Sequence, residues 1–118
     1  MTIQEREINS VVVLDLVGRL CLDDGDQLLK DTVQRVMNGG CRRVVVNLTS
    51  VTYADSAGLG ALLSVFLEAK KQGGHLRLHS PAQRLHDLLV MTRLRSVLEV
   101  SDSESQALAS LGSLAGGN

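Results

Sequence analysis

Residue types that could do chemistry concentrate in Asp55-Ser56-Ala57-Gly58-Leu59-Gly60, where a buried-type strand runs through a short loop into a helix. Asp55 or Ser56 is the natural N-cap, because a side-chain oxygen there satisfies helix amides that lack an intrahelical partner. Read for structure alone, this is a capped helix whose small residues let it pack close to a sheet. Read for chemistry, the same residues leave Ser56 uncovered. Ala57, Gly58, Gly60 and Ala61 carry too little side chain to shield its hydroxyl, which is expected on an open, flat surface. A hydroxyl at a helix N-terminus suits phosphate, since free N–H groups and the helix dipole favour anions. Phosphorylation would add about −1.5 to −2 charges there, beside the like charge of Asp55. A partner docked on that surface would then have to desolvate a dianion, at several kcal/mol per ion, lowering affinity by orders of magnitude. That is the chemistry of a switch, with Asp55 and Gly58 expected to shape the turn that presents Ser56.

Other chemistries lack their parts. A serine hydrolase needs Gly-x-Ser-x-Gly and a histidine base within reach. Here Ala54 stands at the first glycine position, and His75, His79 and His86 fall into no triad pattern. Gly58-Leu59-Gly60 lacks the third glycine of a dinucleotide loop, and there is no Gly-Lys-Ser/Thr for a P-loop. His75, Arg77 and His79 share one side of their strand. No cysteine or carboxylate completes a metal set with them, so an exposed polar face is expected. No cofactor and no metal is expected, and the chain reads as a substrate of chemistry and not as an enzyme.

The elements that must position Ser56 follow from periodicity. Ile3–Ile8 is a weak strand, and 11–17 a strong one, β-branched, apolar on both faces and ended by Gly18. Asp23–Asn38 reads as a helix with Leu29, Val33 and Val36 inward, acidic in its first turn and stopped by Gly39-Gly40. Arg43–Leu48 is a buried-type strand. Leu59, Leu62, Leu63, Phe66 and Leu67 recur at helical spacing until Gly73-Gly74. His75–His79 is a strand, and Ser80-Pro81 a helix start with serine as N-cap and proline at the first helical position. That helix has Leu85, Leu88 and Leu89 as its buried face, and Met37 is a further core position. Val97–Val100 is a short last strand. Ser101-x-x-Glu104 reads as a capping box for a final helix with Ala107, Leu108 and Leu111 inward. The first two strands are too close for a crossover and should form an antiparallel hairpin. The helix–Gly-Gly–strand units imply parallel pairing. The expected fold is α/β: a mixed sheet of four to five strands with about four helices packed on it.

Composition agrees with one soluble globular domain. The 118 residues are 44% hydrophobic and 21% charged, and aromatics are 2% (Tyr53 and Phe66, no Trp). A chain of this size buries roughly two-thirds of its unfolded surface without metal or disulfide staples. With 12 basic and 13 acidic residues the net charge is −1. There is neither a basic stripe nor an aromatic platform for nucleic acid. No apolar run reaches the about eighteen residues that cross a bilayer, and the first ten residues lack the regions of a signal peptide. Cys21 and Cys41 stand outside any Cys-x-x-Cys spacing and are expected as thiols in a reducing cytoplasm. Residues 1–111 are expected to form the domain, and the Gly/Ser-rich 112–118 to fray.

The Asp55–Gly60 motif follows a strand ending Val-Val-Asn-Leu and precedes a leucine-rich helix ending Lys-Lys-Gln-Gly-Gly. In that setting it resembles the bacterial anti-sigma factor antagonists of the STAS domain family. The resemblance covers nearly the whole chain, from the Gly18-Arg19-Leu20 of the second strand to the final Ser-Asp-Ser-Glu-x-x-Ala-Leu helix. It implies a STAS fold and assigns the phospho-acceptor, the serine directly after the aspartate, to Ser56. It implies as partners an anti-sigma factor that is also an ATP-dependent serine kinase, and a PP2C-type phosphatase. The unphosphorylated chain would hold the kinase and free the sigma factor, and phosphorylation would release it. Asp23, Asp55, Ser56, Ala57, Gly58 and Leu59 are the expected partner contacts, and the chain is expected as a monomer or weak dimer. One departure stands out. Family members commonly carry an acid after the Gly-x-Leu of the second strand, where Cys21 stands here; an acid's role at that place is lost or passes to Asp23. A second class stays open, a STAS interaction module of a non-transcriptional complex such as a lipid-transport subunit or a stress-signalling scaffold.

Overall fold

The second strand is apolar on both faces because both are covered, by different helices. In a computed structural model, which describes residues 1–116, the chain runs β1 (Thr2–Ile8), β2 (Val11–Leu20), α1 (Asp26–Asn38), β3 (Arg43–Ala54), α2 (Ser56–Lys71), β4 (His75–His79), α3 (Gln83–Met91), α4 (Leu94–Val97), β5 (Val100–Ser101) and α5 (Glu104–Gly116). The end of the glycine-rich segment expected to fray, 117–118, lies outside the described residues. One five-stranded sheet has the order β1-β2-β3-β4-β5. β1 and β2 pair antiparallel through a tight turn in which Asn9 and Ser10 both take positive φ, 50° and 68°, the backbone hand that fits a twisted hairpin. The other three pairings are parallel, so the mixed α/β sheet expected from the sequence is the one observed.

Strand alternation sorts the two faces. Leu14, Leu16, Val44, Val46, Leu76 and Leu78 point one way and meet Leu29 and Val33 of α1 and Leu62 and Phe66 of α2 in the main core. Each such side chain contributes about 1.5–3 kcal/mol on burial. Val11, Val13 and Val45 point the other way, into a smaller cluster with Ala107 and Leu111 of α5.

Several boundaries differ from the sequence reading. β2 does not stop at Gly18: the glycine takes φ 117°, the pairing shifts register there, and the strand continues to Leu20 opposite Ala54. β3 accordingly runs past Leu48 to Ala54. α1 begins at Asp26 and not at Asp23, because 21–25 close into a turn with Asp23 at φ 59°. Ser80 is no N-cap. It takes φ 54°, its hydroxyl donates to the Asp102 carbonyl at 2.9 Å, and α3 starts only at Gln83. Val97 closes the short helix α4, leaving only Val100–Ser101 as strand. The cap sits two residues later than expected and is not a reciprocal box: Ser103 Oγ accepts the Gln106 amide at 3.2 Å, while the Gln106 side chain accepts the amide of Asp102, one residue before Ser103. Leu67 faces solvent. His79 and Arg77 do not form an exposed face, because α5 lies over them. The His79 residue keeps 3% of its accessible surface, and Arg77 pairs with Glu99 at 2.8 Å.

Candidate functional site

The two added strand ends build the site. Leu20 and Ala54 finish β2 and β3 side by side, and the chain leaves both toward the same edge: from Leu20 into the 21–25 turn, from Ala54 into Asp55 and α2. Asp55 is extended (φ −112°, ψ −172°) and is the N-cap of α2. Its Oδ1 accepts the Gly58 amide at 2.9 Å and its Oδ2 the Leu22 amide at 3.1 Å. Its own amide donates to the Leu20 carbonyl at 3.4 Å, and its carbonyl accepts the Leu59 amide at 3.0 Å. Amides that bond a carboxylate favour its charged form. The Gly58 amide first, and the Leu22 amide second, therefore hold the Asp55 carboxyl below its ordinary 3.8. Of the two cap candidates, the structure selects Asp55.

Gly58 is required by contact and not by turn geometry. A Cβ at this position would stand 1.9 Å from the Leu20 carbonyl oxygen, far inside van der Waals distance. The helix can approach the β2 end this closely only with a hydrogen at Gly58. Gly60, one turn position further out, has nothing within 4 Å of an added Cβ.

With Asp55 occupied by the cap and Gly58 pressed against Leu20, Ser56 is left outward. It is the first residue of α2, it is exposed, and its hydroxyl makes no hydrogen bond among the described residues. Ala57 beside it is half-buried. Leu59, expected to contact a partner, keeps only 8% of its surface and belongs to the main core. Its side chain supports the site from beneath, because helical periodicity turns it onto the sheet. Asp23 is exposed at the tip of the 21–25 turn, where its amide donates to Asp26 Oδ1 at 3.1 Å. The Leu22–Asp55 bond ties that turn to the Ser56 loop, so Asp23 and Ser56 sit on segments locked together.

Sequence reasoning missed the apolar residues around these groups. Leu22 is 63% exposed, Tyr53 43% and Met91 79%. Tyr53, Arg84, Asp87, Leu88 and Met91 line a shallow groove between the end of β3 and α3. A leucine amid the acids of 21–26 was the one signal available. Cys21 and Cys41 are free thiols. Among the described residues no three His, Cys, Asp or Glu side chains gather as a metal set, and no helix is long and apolar enough to cross a membrane. The arrangement offers a presented hydroxyl, an anion-favouring helix start and an apolar rim.

Comparison with known proteins agrees with this fold. A family model described as STAS domain matches residues 2–107. The chain is 30% identical over 90 residues to the anti-sigma-B factor antagonist of Bacillus subtilis (strain 168), spanning 76% of this chain and 81% of that one. It is 24% identical over 111 residues to the anti-sigma F factor antagonist of Paenibacillus polymyxa, spanning 94% and 95%. Its fold matches that of the Bacillus cell fate determinant SpoIIAA in the phosphorylated form with a TM-score of 0.71, at 18% identity, over 93% of this chain and 99% of that one.

Proposed function

The chain belongs to the STAS domain family, and from that premise we propose that it is an anti-sigma factor antagonist switched by phosphorylation at Ser56. The observation that carries the reading is the Ser56 hydroxyl: exposed, without a hydrogen bond among the described residues, and held at the first position of α2 by a cap that uses the neighbouring carboxylate instead. Unphosphorylated, the surface formed by the Ser56 loop and the Asp23 turn docks an anti-sigma factor that is also a serine kinase. Leu22 and Tyr53 supply apolar contact beside the hydroxyl. The kinase provides ATP and the catalytic base; this chain provides the acceptor, and as Ser56 Oγ bonds the γ-phosphorus the bridging bond to the β-phosphate breaks, ADP leaves with the kinase and the hydroxyl proton passes to that base. The resulting dianion stands next to Asp55 on a surface that must be dehydrated for docking, so the complex dissociates. A PP2C-type phosphatase restores the hydroxyl. The protein acts as a substrate and works in the cytoplasm.

The test is affinity capture from native lysate with wild type and Ser56→Asp, followed by incubation of the captured material with ATP. The expected result is a serine kinase retained by wild type, lost by the aspartate variant, and able to phosphorylate wild type but not Ser56→Ala. Identical partners on both baits, in particular membrane-transport subunits, would overturn the reading in favour of a constitutive interaction module.

A further inference from the structure

A polar row crosses the sheet face that α5 covers. Asp15, Asn47, His79 and Ser101 are register neighbours on β2, β3, β4 and β5. Asn47 Nδ2 donates to Asp15 Oδ1 at 2.8 Å. Arg6 of β1 donates to both Asp15 oxygens, at 2.6 and 2.9 Å, and reaches over to Glu104 of α5 at 2.5 Å. His79 lies under the start of that helix. Its Nδ1 is 3.0 Å from Ser80 Oγ, while its buried Nε2 has no hydrogen-bond partner and stands 3.7 Å from Glu104. That distance is beyond a hydrogen bond, and Arg6 holds Glu104 in place.

We propose that α5 is a pH-gated latch: a proton taken up by His79 loosens the helix from the sheet and uncovers Val11, Val13 and Val45. The groups facing His79 are Glu104 from α5, Asp15 from β2 and Arg6 from β1, with neutral Asn47 and Ser101 on the flanking strands. Glu104 and Asp15 attract the proton, but both are already bound to Arg6, and Arg6 repels it. Burial outweighs the two carboxylates and keeps the His79 ring below its ordinary 6.5. The neutral ring therefore belongs to the docked helix and the charged ring to the lifted one, where water reaches Nε2. α5 is the element able to move, because it rests on the small Val11–Val13–Val45 cluster while α1 and α2 share the main core. Local opening draws on such lightly packed elements.

Amide exchange of Ala107–Leu111, corrected for the intrinsic pH dependence of exchange, tests this on the full chain. One linked proton allows at most about a tenfold change in opening per pH unit. Wild type is expected to lose α5 protection up to about fivefold between pH 6.5 and 5.5 with α1 and α2 unchanged, and His79→Leu to show no such loss. Flat protection in wild type, or the same loss in His79→Leu, overturns the latch. If the leucine variant does not fold, the ring-proton shifts of His79 decide. A titration midpoint below 6.5 supports the latch, and one at or above 6.5 overturns it.

Discussion

Asp55 Oδ2 accepts the Leu22 amide at 3.1 Å, joining two loops 33 residues apart in sequence. The other oxygen caps α2 through Gly58. One carboxylate thus holds both the helix that begins with Ser56 and the turn that carries Asp23. Asparagine separates the two duties: its single oxygen can still cap, as Asn caps as well as Asp, but its NH2 cannot accept the Leu22 amide. Asp55→Asn is expected to keep most of the melting temperature while the Leu22 amide exchanges at least about tenfold faster. Asp55→Ala loses both bonds and is expected to melt roughly 4–8 °C lower. Thermal melts and amide exchange of the two variants check this; equal Leu22 protection in wild type and Asp55→Asn would show that the bond does not hold the turn.

Gly58 and Gly60 make a matched pair of substitutions. At 58 a methyl group meets the Leu20 carbonyl at 1.9 Å, whereas at 60 it meets nothing within 4 Å. Gly58→Ala must push α2 off the β2 end and is expected to cost about 1–3 kcal/mol. Gly60→Ala gains helix propensity without contact and is expected to stabilise by about 0.5–1 kcal/mol. Urea denaturation of both chains gives the two signs directly. A neutral Gly58→Ala would mean that the close approach to Leu20 is not needed for the fold.

Why some of this was legible and some was not follows from the range of the interactions. The hairpin, the parallel units and the presented Ser56 rest on local signals: the β-branched apolar run of 11–17, the Gly-Gly stops, and small residues after an acid. The extension of β2 and β3 to Leu20 and Ala54 rests on each strand finding the other, which no periodicity in Thr49–Tyr53 announces. The same holds for His79. Its strand alternates leucine with polar residues, as a half-exposed strand would, and only the docking of α5 turns that polar face inward. Leu59 and Leu67 differ in fate although both fit helical spacing, because the stripe facing the sheet is narrower than the apolar residues available to fill it.

Acid should unfold the domain through the row beneath α5. The hydrogen bonds from Arg6, ahead of that from Asn47, hold the Asp15 carboxyl below its ordinary 3.8 despite the opposing effect of burial. A carboxylate depressed in the folded state stabilises at pH values above the unfolded value and loses that contribution as pH falls through the folded one. Stability measured in urea is therefore expected to drop as pH goes below 3.8. Asp15→Asn should be less stable at pH 7, show a shallower acid decline, and converge with wild type once pH falls through the folded value of the Asp15 carboxyl. Parallel declines in the two chains would assign the acid sensitivity to other carboxylates.

The Ser56 variants carry the functional prediction, and their value lies in separating charge from shape. Ser56→Ala removes an exposed hydroxyl that makes no hydrogen bond among the described residues, so stability and partner affinity should both stay within a factor of about two. Ser56→Asp places one charge beside Asp55 at the start of α2. Its effect on the isolated chain should be small, because the helix dipole favours the new carboxylate while Asp55 opposes it. Its effect on the complex should be large, because docking strips water from that charge; a loss of at least tenfold in affinity is expected, with more for the doubly charged phosphoserine. Binding isotherms of the captured kinase with the three chains, alongside their melts, check the pattern. An aspartate variant that binds as wild type does would remove desolvation of Ser56 as the basis of the switch. If affinity fell together with melting temperature, the defect would lie in the fold, and the alanine variant, which cannot be phosphorylated, would then show whether binding needs the hydroxyl at all.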